Sequence, residues 1–190
     1  MAAAPPPTEP ASRRSLLRRL TGGPIARRLA EVDLAVYRVI RSDLHSERLT
    51  PAIRAFSATG EHAALWLAIG ATGMATDRPR RAQWKRATAV VAGTQALNTV
   101  LKVVVRRRRP ALDGLPALIA TPTQLSFPSA HSSSSFAAAT MYGDLLPRGP
   151  LLALAGAMAL SRVYLGVHYP TDIAAGALLG TGVAAIFRRP

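Results

Sequence analysis

Apolar and polar positions are arranged in two different ways along this chain. Across residues 15–41, Ile25, Leu29, Val32, Val36 and Val39 recur at helical spacing while Arg27, Glu31, Arg38 and Arg41 cover other directions, the pattern of an amphipathic helix. Further on, the charge leaves long stretches altogether: residues 62–76, 87–101 and 173–187 contain none. Residues 132–146 and 149–161 complete a set of five, separated by the Leu146, Pro147, Arg148, Gly149, Pro150 turn. Each is shorter than the ~20 residues that cross a bilayer comfortably. Flanking Glu61, Asp77, Arg86, Lys102 and Arg188 stand where helix ends reach headgroups, and long cations can snorkel there. Small residues around Gly70, Gly156 and Gly176 permit close helix packing. The pattern predicts an all-α, polytopic membrane bundle of about five transmembrane helices plus an N-terminal interfacial helix. It divides into a flexible tail (1–12, broken by Pro5, Pro6, Pro7 and Pro10), an amphipathic interfacial region (13–60) and the bundle (61–190). The opening residues, with prolines and an acid ahead of the arginines and no apolar run behind them, are unlike a signal peptide.

Composition sharpens this picture. The 190 residues are 49% hydrophobic and 18% charged, against about 25% charged in ordinary soluble domains. The 24 Lys and Arg face 10 Asp and Glu, a formal +14 that requires an anionic partner or location. Arg13, Arg14, Arg18, Arg19, Arg27 and Arg28 suit anionic lipid headgroups, with Leu16, Leu17 and Leu20 entering the interface; a solvated basic arm is the alternative. The ten aromatic residues sit mostly in apolar stretches rather than among the basic ones, which argues against a nucleic-acid partner. Cysteine is absent, which excludes disulfides, cysteine metal sites and thiol catalysis.

Three segments concentrate the remaining polarity. In residues 102–110, Lys102 begins a basic run inside the end of an apolar helix, and helical spacing places Lys102, Arg106 and Arg109 near one face before Pro110. In residues 125–136, Pro128 and Ser129 precede a helix start whose free N–H groups form an anion site, to which hydroxyls and His131 add donors. In residues 161–176, Arg162 ends one apolar helix, and His168 and Asp172 stand four apart at the start of the next. At that spacing a carboxylate can bind one imidazole nitrogen and leave the other to attack. Read singly, these are a membrane-side charge run, a serine-rich cap and a buried His–Asp pair. Counting helix crossings, however, puts all of them on one membrane side.

The combination Lys102, Arg109, Pro110; Pro128, Ser129, His131; and Ser161, Arg162, His168, Asp172 resembles the signature motifs of the type 2 phosphatidic acid phosphatase (PAP2) superfamily. It departs only at Ala130, where the family has Gly, a change that removes left-handed backbone freedom and adds a methyl near the phosphate. The resemblance implies a membrane lipid phosphate phosphatase with His168, His131 and Asp172 as catalytic residues. His168 attacks phosphorus, Asp172 orients it, and His131 protonates the leaving oxygen and then activates water. Lys102, Arg109, Ser129 and Arg162 bind the phosphate oxygens. No cofactor and no metal is implied, and the sparse acids near the motifs, Asp113 and Asp172, would not make a two-metal site. Arg106, Arg107 and Arg108 read as interfacial anchors, and His45 and His62 as structural.

A site at helix ends suits a partner whose phosphate stays in water while its hydrocarbon stays in lipid. The family's substrates include polyprenyl phosphates and pyrophosphates, phosphatidylglycerophosphate, phosphatidic acid and prenyl-linked sugar phosphates. The Ala, Arg and Pro bias resembles that of a GC-rich bacterial genome, and the compact members of the family in such bacteria include one that acts on the 5-phosphate of a polyprenyl-phosphoryl-phosphoribose in arabinan precursor synthesis. That substrate, in the inner (plasma) membrane, is the first expectation. Polyprenyl pyrophosphate or phosphatidylglycerophosphate is the alternative, and a basic lipid-binding scaffold the non-enzymatic one. Basic residues on both sides leave the side of catalysis and the oligomeric state open.

Overall fold

The computed structural model describes residues 23–188, and every regular element among them is helical. The expectations for residues 1–12 and for Arg13, Arg14, Leu16, Leu17, Arg18, Arg19 and Leu20 fall outside the described residues. Helix α1, Pro24–Arg38, opens on a proline whose fixed φ suits the first helical position, and runs into a π-helical turn, Val39–Asp43. Helix α2, Thr50–Ala58, follows. Five further helices coincide with the five apolar stretches of the sequence: α3 Ala64–Thr76, α4 Arg81–Val105, α5 Ala130–Tyr142, α6 Arg148–Tyr164 and α7 Pro170–Phe187.

The ends differ from the apolar pattern for local reasons. Helix α4 begins well before its charge-free stretch, because Arg81, Lys85 and Arg86 are good helix formers whatever their polarity. It stops at Val105, where Arg106 takes a left-handed φ of 57°. Arg106 and Arg109 therefore do not continue the Lys102 face, as helical spacing implied; residues 106–129 form an irregular connector. Its arms are tied by Ser126 N–H donating to Arg107 O (2.8 Å) and Arg109 N–H donating to Gln124 O (3.0 Å). Helix α5 ends early, the N–H groups of Leu145 and Leu146 both turning back to Tyr142 O before Pro147.

Helix α5 is the centre of the bundle and packs on α4, α6 and α7. Around it Ala63, Trp66, Trp84, Val91, Ala137, Ala138, Tyr142, Leu151 and Ala155 form the core. The hydroxyls of its serine run, expected as phosphate donors, instead bond to neighbouring helices or to α5's own backbone. Ser132 Oγ donates to Ile173 O (2.6 Å), Ser133 Oγ to Asn98 Oδ1 (3.1 Å) and Ser134 Oγ to Ala130 O (2.9 Å), while Ser135 Oγ accepts from Trp66 Nε1 (2.8 Å). Close packing occurs at Gly176 and Gly180 of α7, where an added Cβ would lie 2.6 Å from Ser129 O and 2.1 Å from Ser133 O. Gly156, expected to act likewise, faces open space.

Helix α1 is amphipathic in the expected register, with Ile25, Leu29, Val32, Val36 and Val39 all exposed. A neighbouring side of the helix is buried, where Asp33 is 1% and Tyr37 0% exposed, while Arg27, Glu31 and Arg38 are exposed. Arg41 is also buried against the bundle, donating to Pro116 O (2.6 Å) and Tyr164 O (3.4 Å). Among the described residues, two helical stretches are long and apolar enough to cross a membrane, Arg78–Val105 and Pro170–Phe187, each with only 22% of its apolar window buried. Exposed Val100, Val103, Val104, Leu152, Leu160, Leu178, Ile186 and Phe187 extend the apolar surface over α4, α6 and α7, more than a soluble monomer leaves to water.

Candidate active site

The turn from α6 into α7 places the central imidazole. Gly166 takes a φ of 77°, and a Cβ there would come within 2.9 Å of Tyr37 Oη and 3.0 Å of Arg41 Nε, so only glycine lets the chain reverse this close to α1. His168 follows, 2% exposed, and Pro170 and Asp172 occupy the first turn of α7. Arg109 Nη1, which can only donate, lies 3.2 Å from His168 Nε2. Nε2 is thus the lone-pair nitrogen and Nδ1 carries the proton. Nδ1 stands 3.6 Å from Asp172 Oδ2, too far for the direct hydrogen bond that the four-residue spacing suggested, and is buried without a hydrogen-bond partner. The reason is that the carboxylate is already engaged: Oδ2 accepts from Tyr169 N–H (2.8 Å) and Oδ1 from Arg107 Nη1 (2.9 Å). Burial, reinforced by Arg109, Lys102 and Arg162, holds the pKa of His168 well below the usual imidazole value, so the ring is neutral at rest.

The other site residues gather at the same end of the bundle. Lys102, near the end of α4, donates to the carbonyls of Leu125 (3.2 Å) and Ser126 (3.1 Å). Arg109 is held by Thr123 O (2.8 Å) and Val167 O (2.7 Å). Ser129 is buried as the N-cap of α5, its Oγ accepting from Ser132 N–H (3.4 Å) and its N–H donating to Asp172 O (3.0 Å). His131 and Arg162 meet through Ser57 of α2. His131 Nε2 donates to Ser57 O (3.1 Å) and Arg162 Nη1 to Ser57 Oγ (2.6 Å), while Arg162 Nε is buried without a partner. A carbonyl only accepts, so in the neutral ring Nε2 bears the proton and Nδ1 is left to exchange one. Ala130 begins α5 and is not among the residues with positive φ, so the position that the motif gives to Gly needs no glycine here.

Three participants were not legible from the motifs: Ser57, Asp33 and Arg107. Ser57 lies in the region read as interfacial. Asp33 of α1 accepts from Thr171 N–H (2.8 Å), Thr171 Oγ1 (2.5 Å) and Arg107 Nη2 (2.7 Å). Arg107, expected to be a headgroup anchor, instead bridges Asp33 and Asp172, because the left-handed Arg106 redirects the chain after α4. The one available signal was Asp33 itself, an acid on the polar side of a basic amphipathic helix. His45, read as structural, stacks on Tyr164 and contacts Thr50 Oγ1 (3.1 Å) through Nε2.

Among the described residues, no group of three or more His, Asp or Glu side chains is placed to hold a metal ion. An 860 Å³ cavity lies at the far end of the bundle among Gln83, Arg86, Asp144 and Arg188, away from every candidate residue. An apolar cavity of 380 Å³, lined by Ile40, Leu44, Phe56, Leu160, Ser161 and Tyr164, is close to the site, since Phe56 and Ser161 are chain neighbours of Ser57 and Arg162. What the arrangement offers chemically is a neutral imidazole facing three cations, with a second imidazole at the same helix ends.

Comparison with known proteins agrees with this geometry. The chain is 37% identical over 163 residues to decaprenylphosphoryl-5-phosphoribose phosphatase of Mycobacterium tuberculosis, covering 85% of this chain and 92% of that one. Its fold is similar to that of Aquifex aeolicus LpxE, with a TM-score of 0.69 at 23% identity, over 81% of this chain and 93% of that one. It is similarly close to the transmembrane PAP2-type phosphatidylglycerolphosphate phosphatase of Bacillus subtilis, with a TM-score of 0.68 at 23% identity, over 90% and 89% of the two chains. The PAP2 superfamily model matches residues 83–189, which include every candidate residue from Lys102 to Asp172, and with them the chain belongs to the PAP2 superfamily.

Proposed function

We propose that the protein is a metal-independent lipid phosphate phosphatase that removes the 5-phosphate of a polyprenyl-phosphoryl-phosphoribose through a phosphohistidine intermediate. The observation that carries the reaction is His168, neutral, with Nε2 presented to Arg109 at 3.2 Å and Nδ1 turned toward Asp172. An arriving phosphate exchanges the Arg109–His168 bond for one to its own oxygen, which frees the lone pair. His168 Nε2 attacks phosphorus in line as the bond to the sugar oxygen breaks, and that oxygen takes the Nδ1 proton of His131, which enters this step as the imidazolium and leaves it as the neutral ring. Lys102, Arg109, Arg162 and the Ser129 region balance charge on the nonbridging oxygens, and Asp172 steadies the positive imidazole. In the second half His131 takes a proton from water, the resulting hydroxide attacks phosphorus, and orthophosphate leaves with His168 restored.

The substrate assignment rests on the Mycobacterium tuberculosis relative, whose name states decaprenylphosphoryl-5-phosphoribose. The apolar cavity beside Ser57 and Arg162 suits a hydrocarbon tail. In this reading α3 to α7 all cross the plasma membrane with their flanking residues, α3 and α5 being the shortest at 13 residues or about 20 Å each. Residues 13–60 form the interfacial region beside anionic headgroups, its exposed apolar face entering lipid, and residues 61–190 the catalytic bundle.

His168→Ala, assayed in detergent with EDTA, tests the reaction. Phosphate release from the phosphoribose lipid is abolished and no acid-labile phosphohistidine forms. Full turnover by the variant overturns the nucleophile, and a scaffold that only binds lipid predicts no phosphate release even from the wild type. Faster wild-type turnover of polyprenyl pyrophosphate or phosphatidylglycerophosphate would reassign the substrate and leave the chemistry standing.

A further inference from the structure

Asp33 and Arg107 play no part in the steps above, yet both are fixed against the residue that orients the nucleophile. The two oxygens of Asp33, 1% exposed, collect three hydrogen bonds, two from Thr171 and one from Arg107. Arg107 sits on the irregular connector, where no helix constrains it. Nη2 goes to Asp33 (2.7 Å), Nη1 goes to Thr171 Oγ1 (2.7 Å) and Asp172 Oδ1 (2.9 Å), and the guanidinium lies over the Tyr169 ring at 4.2 Å. Buried ion pairs of this kind add little net stability. Their geometric effect is specific: with Oδ1 taken by Arg107, the other oxygen of Asp172 is the one turned toward His168 Nδ1.

We infer that Asp33 and Arg107 are positioning residues for phosphoryl transfer: Asp33 aims Arg107, and Arg107 fixes the Asp172 carboxylate that steadies His168. Helix α1 thereby becomes part of the active site although it lies some seventy residues from the first PAP2 motif. The inference rests on the reading of His168 as nucleophile.

Charged and titratable groups face this centre from every element around it: Lys102 from α4, Arg107 and Arg109 from the connector, His131 from α5, Arg162 from α6, Asp172 from α7 and Asp33 from α1, with Tyr37 and Tyr169 beside them. Asp33→Asn leaves Arg107 less compensated, so His168 binds a proton less readily and the acid limb of kcat/KM moves to lower pH. Arg107→Gln leaves Asp172 uncompensated, so the limb moves to higher pH. Both lower kcat by about ten- to a hundredfold with little change in KM, as expected for a misaimed catalytic group. Asp33→Glu, which keeps the charge, recovers most of the loss. Limbs that move in the same direction, or a wild-type kcat in both variants, overturn the inference. Thr171→Val gives an independent reading at a partly exposed position, since it removes the hydroxyl that touches both Asp33 and Arg107; a wild-type kcat there also overturns it. Parallel assay of His168→Ala separates the failures. An active His168→Ala protein refutes the nucleophile, whereas an inactive one beside fully active Asp33 and Arg107 variants refutes only the positioning roles.

Discussion

Gly180→Ala is the sharpest test of how packing serves the site. The added Cβ would stand 2.1 Å from Ser133 O and 2.9 Å from Ala137 N, both backbone atoms of α5 that no rotamer change can move. Ordinary contact begins at 3.4 Å, so α5 and α7 must part by about 1.3 Å. Overpacking of this kind costs about 1–3 kcal/mol. These two helices carry Ser129 and His131 on one side and Asp172 on the other, so the same displacement acts directly on the catalytic geometry. A shift of about 1 Å at reacting groups can lower turnover about 100-fold. Gly182, two residues further along α7, meets nothing within 4 Å and provides the control. Replacing it with Ala removes a helix-interior glycine and is expected to leave activity intact while adding up to ~1 kcal/mol of stability. Thermal unfolding in detergent and phosphate release measure both effects. A Gly180→Ala protein with wild-type melting and turnover would refute the close α5–α7 contact, and equal losses at Gly182 would show that α7 responds to any substitution.

Other expectations follow from the site. His131→Ala, assayed with an activated aryl phosphate that needs little help in leaving, accumulates phosphohistidine because water activation slows by about 10²–10⁴-fold; rapid-quench labelling checks this, and an unlabelled enzyme with normal turnover contradicts it. Burial, Arg109, Lys102 and Arg162 lower the pKa of His168, so the free enzyme keeps its nucleophile neutral to a pH below the ordinary 6.5. Arg109→Gln removes one of these cations, and the acid limb of kcat/KM moves to higher pH. The same depressed pKa has a stability consequence: the unfolded chain takes up a proton on this histidine below about 6.5 while the native state does not, so stability falls as pH drops through that range. His168→Asn lessens that acid dependence in a melting series. Ala130→Gly, which restores the motif's usual residue, is expected to lower stability by up to about 1 kcal/mol with turnover preserved, since position 130 is helical here; a gain in turnover would show that the methyl hinders substrate.

What the sequence determined by itself is what short-range pattern controls. Uncharged stretches near one helix length located α3 to α7, since burial in lipid or core and local helix propensity act on the same residues. Counting helices placed Lys102, His131, Arg162 and His168 at one end, because an up-and-down bundle alternates its ends. The spacing of apolar residues likewise marked α1 as a helix. Tertiary structure decided where each hydrogen bond goes. Four adjacent arginines are equivalent in a sequence; the left-handed turn at Arg106 is what brings Arg107 between Asp33 and Asp172 while Arg109 reaches His168. The serine run looked available to phosphate, but all four serines are buried and their hydroxyls bind neighbouring helices or their own backbone. Ser57 and Asp33 come from segments without a motif. Their roles arise from docking α1 and α2 against α6 and α7, contacts across more than a hundred residues that no local pattern encodes.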